Sequence, residues 1–180
     1  IILQVLIYIV IADFIEWIVH NMLHRINLLW YFHRVHHSIT IMDWIGNFRF
    51  HWMEIIIYNV IKYAPLTIFG ASAKAILIVA VISTLIGHLN HSNIKTSWGP
   101  LRYILNSPMM HIWHHDKYPR RKYGENFAVV FSLWDWIFQT AYMPKDKELP
   151  NKLGFHGQEK TSSNILYRFF LPFLDKNKRE

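Results

Sequence analysis

Long apolar runs alternate along this chain with stretches in which polar residues recur at helical spacing. Ile1 to Val19 is almost wholly apolar as far as Ile11 and approaches the ~20 residues that span a bilayer as a helix. Asp13 and Glu16 interrupt its second half, and carboxylates at membrane depth are costly and usually functional. Asp13, Trp17, His20 and His24 fall at i, i+4, i+7 and i+11 and share one helix face. Two roles fit Asp13 equally: it orients His20 from behind, or one of Asp13 and Glu16 pairs with a basic residue such as Arg25.

Residues 21–52 are amphipathic and aromatic-rich and contain no span; the pattern predicts helix through much of His20 to Ser38, bent near Asn27. Met53 to Gly87 is apolar, broken by Pro65 and by Gly70-Ala71-Ser72-Ala73-Lys74, and reads as two segments forming a membrane hairpin with its turn near Gly70, or a shallower re-entrant hairpin. Either returns the chain to the side it left. Ser107 followed by Pro108 is an N-cap with proline at the first helical position. Lys117 to Lys122 is a charged loop, and Phe127 to Ile137 is an apolar, aromatic packing or membrane-surface element. Ile165 to Leu174, followed by basic residues, suits an interfacial helix. The fold class expected is all-α: membrane helices at 1–19 and 53–87, carrying a cytosolic histidine-rich helical cap from 20–52 and 88–156, within a single domain over 1–180.

Composition supports a membrane protein. The 180 residues are 52% hydrophobic and 16% aromatic, high for a soluble chain. The formal net charge is +7, with the basic residues mostly outside the apolar runs. The positive-inside rule accounts for that distribution and places these loops in the cytosol; a nucleic-acid partner would need a basic stripe on a soluble domain. There is no cysteine, which excludes disulfides, iron–sulfur clusters and thiolate metal sites. No cleavable signal peptide is recognisable.

Histidine changes the picture most. Ten of the twelve histidines fall into four boxes: His20 and His24; His33, His36 and His37; His88 and His91; His111, His114 and His115. Each triplet has i, i+3, i+4 spacing, which on a helix is one face. A lone histidine is more often a hydrogen-bonded structural residue, and His51 is read that way. Ten buried imidazoles without partners would cost a few kcal/mol each, and metal coordination removes that cost. All-imidazole ligation suits iron, zinc, copper or nickel. Ten ligands exceed one coordination sphere; shared between two ions they give five each and leave a position open on each. A closed structural zinc site takes four. A substrate reaching such a site would come from the lipid, and attack on an unactivated C–H bond needs a redox metal, which zinc is not. Because a hydrocarbon has no polar handle at the reacting carbon, an apolar tunnel lined by the hairpin and the first helix is expected to set its position. The competing reading is a membrane metal-binding or transport protein, which would place its histidines along a path through the spans.

The boxes, in the form Asp13-x3-Trp17-x2-His20-x3-His24, Trp30-x2-His33-Arg34-Val35-His36-His37-Ser38, His91-Ser92-Asn93-Ile94, Ser107-Pro108 with His111-x2-His114-His115, Asn126-Phe127, and Leu133-Trp134-Asp135-x2-Phe138-x-Thr140, resemble the fatty acid hydroxylase / sterol desaturase family of integral-membrane di-iron oxygenases. The resemblance runs from Asp13 to about Gly154. It implies that the ten boxed histidines ligate two iron ions, with zinc as a substitute in purified protein, and that the enzyme hydroxylates or desaturates an acyl chain or sterol with O2. It further implies electrons from a separate donor, cytochrome b5-like or a ferredoxin and its reductase, and residence in the endoplasmic reticulum or bacterial inner membrane. The chain departs from the pattern at Gln139, where glycine usually precedes the threonine, and at His88, since that box is often one residue wider. Further N-terminal membrane helices are usual, so the chain is expected to be N-terminally truncated.

Overall fold

The computed structural model describes residues 1–144, 148–161, 164, 166, 167, 169 and 170. The expected interfacial helix at Ile165 to Leu174 lies largely outside them. Among the described residues there is no strand, only one isolated bridge pairing Asp116 with Leu153, and the architecture is helical throughout.

Among the described residues six α-helices carry the fold: α1 (Ile2–Arg25), α2 (Asn27–His33), α3 (Trp52–Ile68), α4 (Ala73–Asn90), α5 (Pro108–His114) and α6 (Leu133–Ile137). Two of them, α1 and α4, are long and apolar enough to cross a membrane. The third long helix, α3, carries Glu54 and Lys62, both buried. The Ser72 hydroxyl donates to Gln4 Oε1 at 3.3 Å, so the turn between α3 and α4 lies beside the start of α1. Consequently the end of α1, the start of α3 and the end of α4 meet at the opposite pole, where the histidines are. Pro65 sits in the last turn of α3 without ending it. Gly70, at φ 81, makes the turn in a conformation glycine enters without steric cost.

The helices are patterned apolar side out. Leu3, Leu6, Ile7 and Val10 of α1, Val60 and Ile61 of α3, and Leu77, Val81 and Leu85 of α4 are exposed. So large an apolar belt suits hydrocarbon rather than water. Inside, Ile9, Ala12, Leu66, Val79 and Val130 pack the pole near Gly70, while the other half of the interior holds most of the buried polar groups.

The chain breaks helix at Ile26, in extended conformation (φ −93°, ψ 116°), one residue before the expected bend. The second box was expected on one helix face, but α2 ends at His33, and His36–Ser38 form a separate 3-10 turn. The expected packing role of Phe127 to Ile137 is met by two buried carboxylates. Asp13 accepts from the backbone N–H groups of Val130 (2.7 Å) and Phe131 (2.9 Å) and from Trp134 Nε1 (2.9 Å). Asp135 accepts from Phe127 and Ala128 N–H, Trp17 Nε1 and Thr140 Oγ1, at 2.6–3.0 Å. Together they strap the segment onto α1. Asp13 therefore hydrogen-bonds neither His20 nor Arg25 directly, and Glu16 pairs with Lys62 instead. Gln139 adopts φ 58, a left-handed conformation in which glycine carries no penalty; that is the physical content of the family's preference there.

Candidate metal centre

Nine of the ten boxed histidines converge at one pole, in two groups. The first joins His20, His24, His33, His37 and His114; the second joins His36, His91, His111 and His115. Within each group the candidate ligand nitrogens all lie within 4.8 Å of one another, and every member is buried. His88 is not brought in: its Nδ1 donates to the Trp44 carbonyl at 2.9 Å and its ring packs on Phe48.

Each triplet is divided between the groups. His33 and His37 join the first group and His36 the second; His114 joins the first, and His111 and His115 the second. The turn after α2 separates His33 from His36, while His111 and His114 lie on one helix, α5, and still enter different groups. The groups abut, with the His37 and His115 rings 4.5 Å apart. The position four residues before His91, where a further histidine would share its face, is Gly87, with the Asn47 side chain packed against it. That is why the second group has four members and the first five.

Hydrogen bonding behind the rings sets which nitrogen faces inward. His20 Nδ1 donates to the Phe127 carbonyl (2.6 Å), His114 Nδ1 to the Glu125 carbonyl (2.8 Å), His91 Nδ1 to the Gly87 carbonyl (2.8 Å) and His36 Nδ1, more loosely, to the Arg49 carbonyl (3.3 Å). His33 Nδ1 meets Glu54 Oε1 at 2.6 Å, both side chains being fully buried. Such partners fix tautomer and ring orientation in metal sites. They turn the Nε2 lone pairs of His20, His33, His36, His91 and His114 inward: His33 Nε2 is 3.0 Å from His20 Nε2 and 3.1 Å from His37 Nε2, and His37 Nε2 is 3.0 Å from His114 Nε2. In the second group the chain His36, His91, His111, His115 has Nε2 separations of 3.1, 3.1 and 3.2 Å. Where both rings are pinned, as in the His20–His33 and His36–His91 pairs, the facing acceptors repel unless a cation lies among them. The spacing also fits an ion: nitrogens about 2.1 Å from a common metal lie about 3.0 Å apart at right angles and about 3.4 Å apart at the tetrahedral angle. Each group is therefore compatible with a bound metal ion.

Burial pushes His33, His36, His37, His111, His114 and His115 well below the ordinary imidazole pKa, and the neighbouring histidines push the same way. His91 is lowered to about 4, burial outweighing its bond to the Gly87 carbonyl. The rings are thus neutral at physiological pH, the form that binds metal.

A cavity of about 300 Å³ touches both groups, through His20 and His33 on one side and His36, His91 and His111 on the other. Its walls come largely from α1, α3 and α4, as expected, and are mostly apolar, with Glu16, Asn59, Lys62, Ser83 and Asn90 among the lining residues.

Glu54 is a site residue that sequence reasoning missed. It stands alone at the head of an apolar run, and only the fold puts it behind His33. His51, expected to be structural, caps α3 by accepting from the Met53 N–H.

Comparison with known proteins agrees with this geometry. The fatty acid hydroxylase family model matches residues 5–140, and the chain belongs to that family. It is 31% identical over 180 residues to ornithine lipid hydroxylase OlsE of Rhizobium tropici, covering 98% of this chain and 52% of that protein. It is 30% identical over 138 residues to human alkylglycerol monooxygenase, covering 76% of this chain and 30% of that protein. A very-long-chain aldehyde decarbonylase of Oryza sativa subsp. japonica is 26% identical over 173 residues, 91% of this chain and 56% of the relative. The chain spans about half, or less, of the length of these relatives. No solved structure matches.

Proposed function

We propose that this chain forms the oxidative centre of an integral-membrane lipid oxygenase, with two iron ions held by the nine converging histidines and zinc able to occupy the same ligands. The observation that carries the reading is the pair of imidazole groups opening on one cavity at the pole of an outwardly apolar helix bundle. Bound iron would supply activation of O2. The chain's own residues do the rest: Glu54 and the Phe127, Glu125 and Gly87 carbonyls hold the ligand rings in their tautomers, the strap made by Asp13 and Asp135 keeps the Phe127 carbonyl in place, and burial excludes bulk water.

In a hydroxylation, one atom of O2 enters a C–H bond and the other leaves as water, with two electrons and two protons from an external donor. That donor is read as a separate protein, cytochrome b5-like or a ferredoxin with its reductase, approaching the basic cytosolic face. The names of the relatives, hydroxylase and monooxygenase of lipids, favour hydroxylation over desaturation. A metal carrier would need its histidines spread along a span; here they are gathered at one end. The test supplies membranes containing the full-length protein with O2 and reductant and follows lipid mass. A gain of one oxygen supports the reading. No lipid change at full metal loading with a working donor contradicts it.

A further inference from the structure

The second histidine group has four members where the first has five, and the shortfall lies on α4. A fifth imidazole sharing the face of His91 would come from position 87, one turn earlier. Gly87 stands there, and a Cβ built on it would meet both Oδ1 and Nδ2 of Asn47 at 3.0 Å. The glycine leaves room, and the Asn47 amide takes it.

Asn47 belongs to a 3-10 turn, Trp44–Phe48, that is fastened to the surroundings of the second group on both sides. Before Asn47, the Trp44 carbonyl accepts from His88 Nδ1 at the end of α4 (2.9 Å). After it, the Arg49 carbonyl accepts from His36 Nδ1 (3.3 Å), and the Phe50 ring stacks on His36 with centroids 4.4 Å apart and planes 6° from parallel. Gly46 passes so close to His91 that a Cβ there would meet the ring carbon Cδ2 at 3.6 Å. Asn47 is thus held beside two members of the group, His36 and His91, and it lines the cavity together with Gly87 and His111. The side chain is half-buried, yet among the described residues its amide makes no hydrogen bond. An asparagine amide carries two donors and a carbonyl oxygen with two lone pairs, and such groups turned to the interior normally have a partner. A neutral amide oxygen is a weak ligand that can accompany imidazoles around a transition-metal ion.

We propose that Asn47 is a metal ligand of the second group, its Oδ1 taking the coordination position that a histidine at 87 would fill. Gly87 and Asn47 together then replace one imidazole by one amide oxygen. Because the amide oxygen is the weaker ligand, this position holds its ion less firmly than the first group does. The inference rests on reading the second group as a metal position; it does not depend on the oxidation of any lipid.

The test uses the full chain in detergent micelles, stripped of metal and titrated with zinc(II) against a competing chelator, which yields one dissociation constant for each position. Asn47→Ala should weaken the second position about 10–100-fold, at least the change that follows the loss of an outer-shell partner, and leave the first as it was. Asn47→Asp keeps the shape and sets an anionic oxygen in the same place, so it should tighten the second position beyond the natural sequence; it decides the matter if Asn47→Ala lowers the stability of the metal-free protein. Asn47→Ala combined with Gly87→His should restore the second position to the natural affinity or better. A ligand can be replaced by another from α4, whereas packing lost in the turn is not repaired from there. Unchanged zinc affinity in Asn47→Ala and Asn47→Asp, or no recovery in the double variant, overturns the proposal. The readings fail separately. Two zinc ions per chain with no response to either Asn47 variant removes this ligand alone, and a single ion in the natural sequence removes the second position and the ligand with it. The full pattern of zinc affinities without oxidation of any lipid supports the ligand and removes the oxygenase.

Discussion

The two histidine groups are built from the same residue type and share two stretches of chain, His33–His37 and His111–His115, yet they are held differently. In the five-membered group, three rings are braced from behind at 2.6–2.8 Å, one of them by a buried carboxylate. In the four-membered group, His36 has a longer bond of 3.3 Å, and Nδ1 of His111 and of His115 has no partner among the described residues. Outer-shell partners commonly change metal affinity 10–100-fold. The first group is therefore the tighter, more rigid position, and the second the more adaptable one, with fewer histidines and three of its four rings on the cavity wall.

Removing a ligand should have the largest effect. His114→Ala in the first group or His36→Ala in the second should abolish lipid oxidation, and each should cost metal first at its own position. Elemental analysis with metal-competition titration would separate them; equal loss from both positions in both variants would break the comparison.

Glu54→Gln keeps the shape of the side chain but replaces the carboxyl group behind His33 Nδ1 with an amide. Metal affinity at the first group should fall about 10–100-fold while the second titrates as before. The same change with no effect on either position would mean that the carboxylate does not matter to the metal.

Acid should reveal the neutral rings. An unfolded histidine titrates near 6.5, whereas these folded rings titrate lower, His91 at about 4. Above pH ~6.5 both states are neutral and nothing is lost. Below it the unfolded chain binds protons that the fold resists, so metal-free protein should lose stability progressively from about pH 6.5 towards 4. Bound metal should oppose this until protons displace it. Thermal unfolding of metal-free and loaded protein across that range checks the sign; greater stability at pH 5 than at pH 7 in the metal-free form would contradict it.

The smallest effects are expected away from both groups. His88→Ala should leave metal content unchanged, since its ring is turned to Trp44 and Phe48. Exposed His156 should tolerate alanine with stability altered by no more than about 0.5 kcal/mol. A metal ion lost on His88→Ala would restore it to the ligand set.

These contrasts show which features the chain advertises. Helical spacing made the boxes legible, and nine of the ten marked histidines do come together. The division of each triplet was hidden: α2 stops at His33, which spacing for a continuous helix does not show, and in α5 His111 and His114 part although they share one helix, because spacing marks a face and not which of two adjoining groups a ring enters. The partner of Asp13 was hidden for a different reason: its acceptor bonds go to backbone N–H groups 117 and 118 residues away, and backbone donors leave no mark on side-chain patterning. Glu54 looked like an isolated charge in an apolar run.

The central claim is that these histidines form two metal positions and not one. Metal per chain, measured in catalytically active purified protein by elemental analysis against amino-acid quantitation, tests it most directly. The account predicts two ions, iron in the active form, with one lost before the other under mild chelation. One ion per chain at full activity, or none, would contradict it.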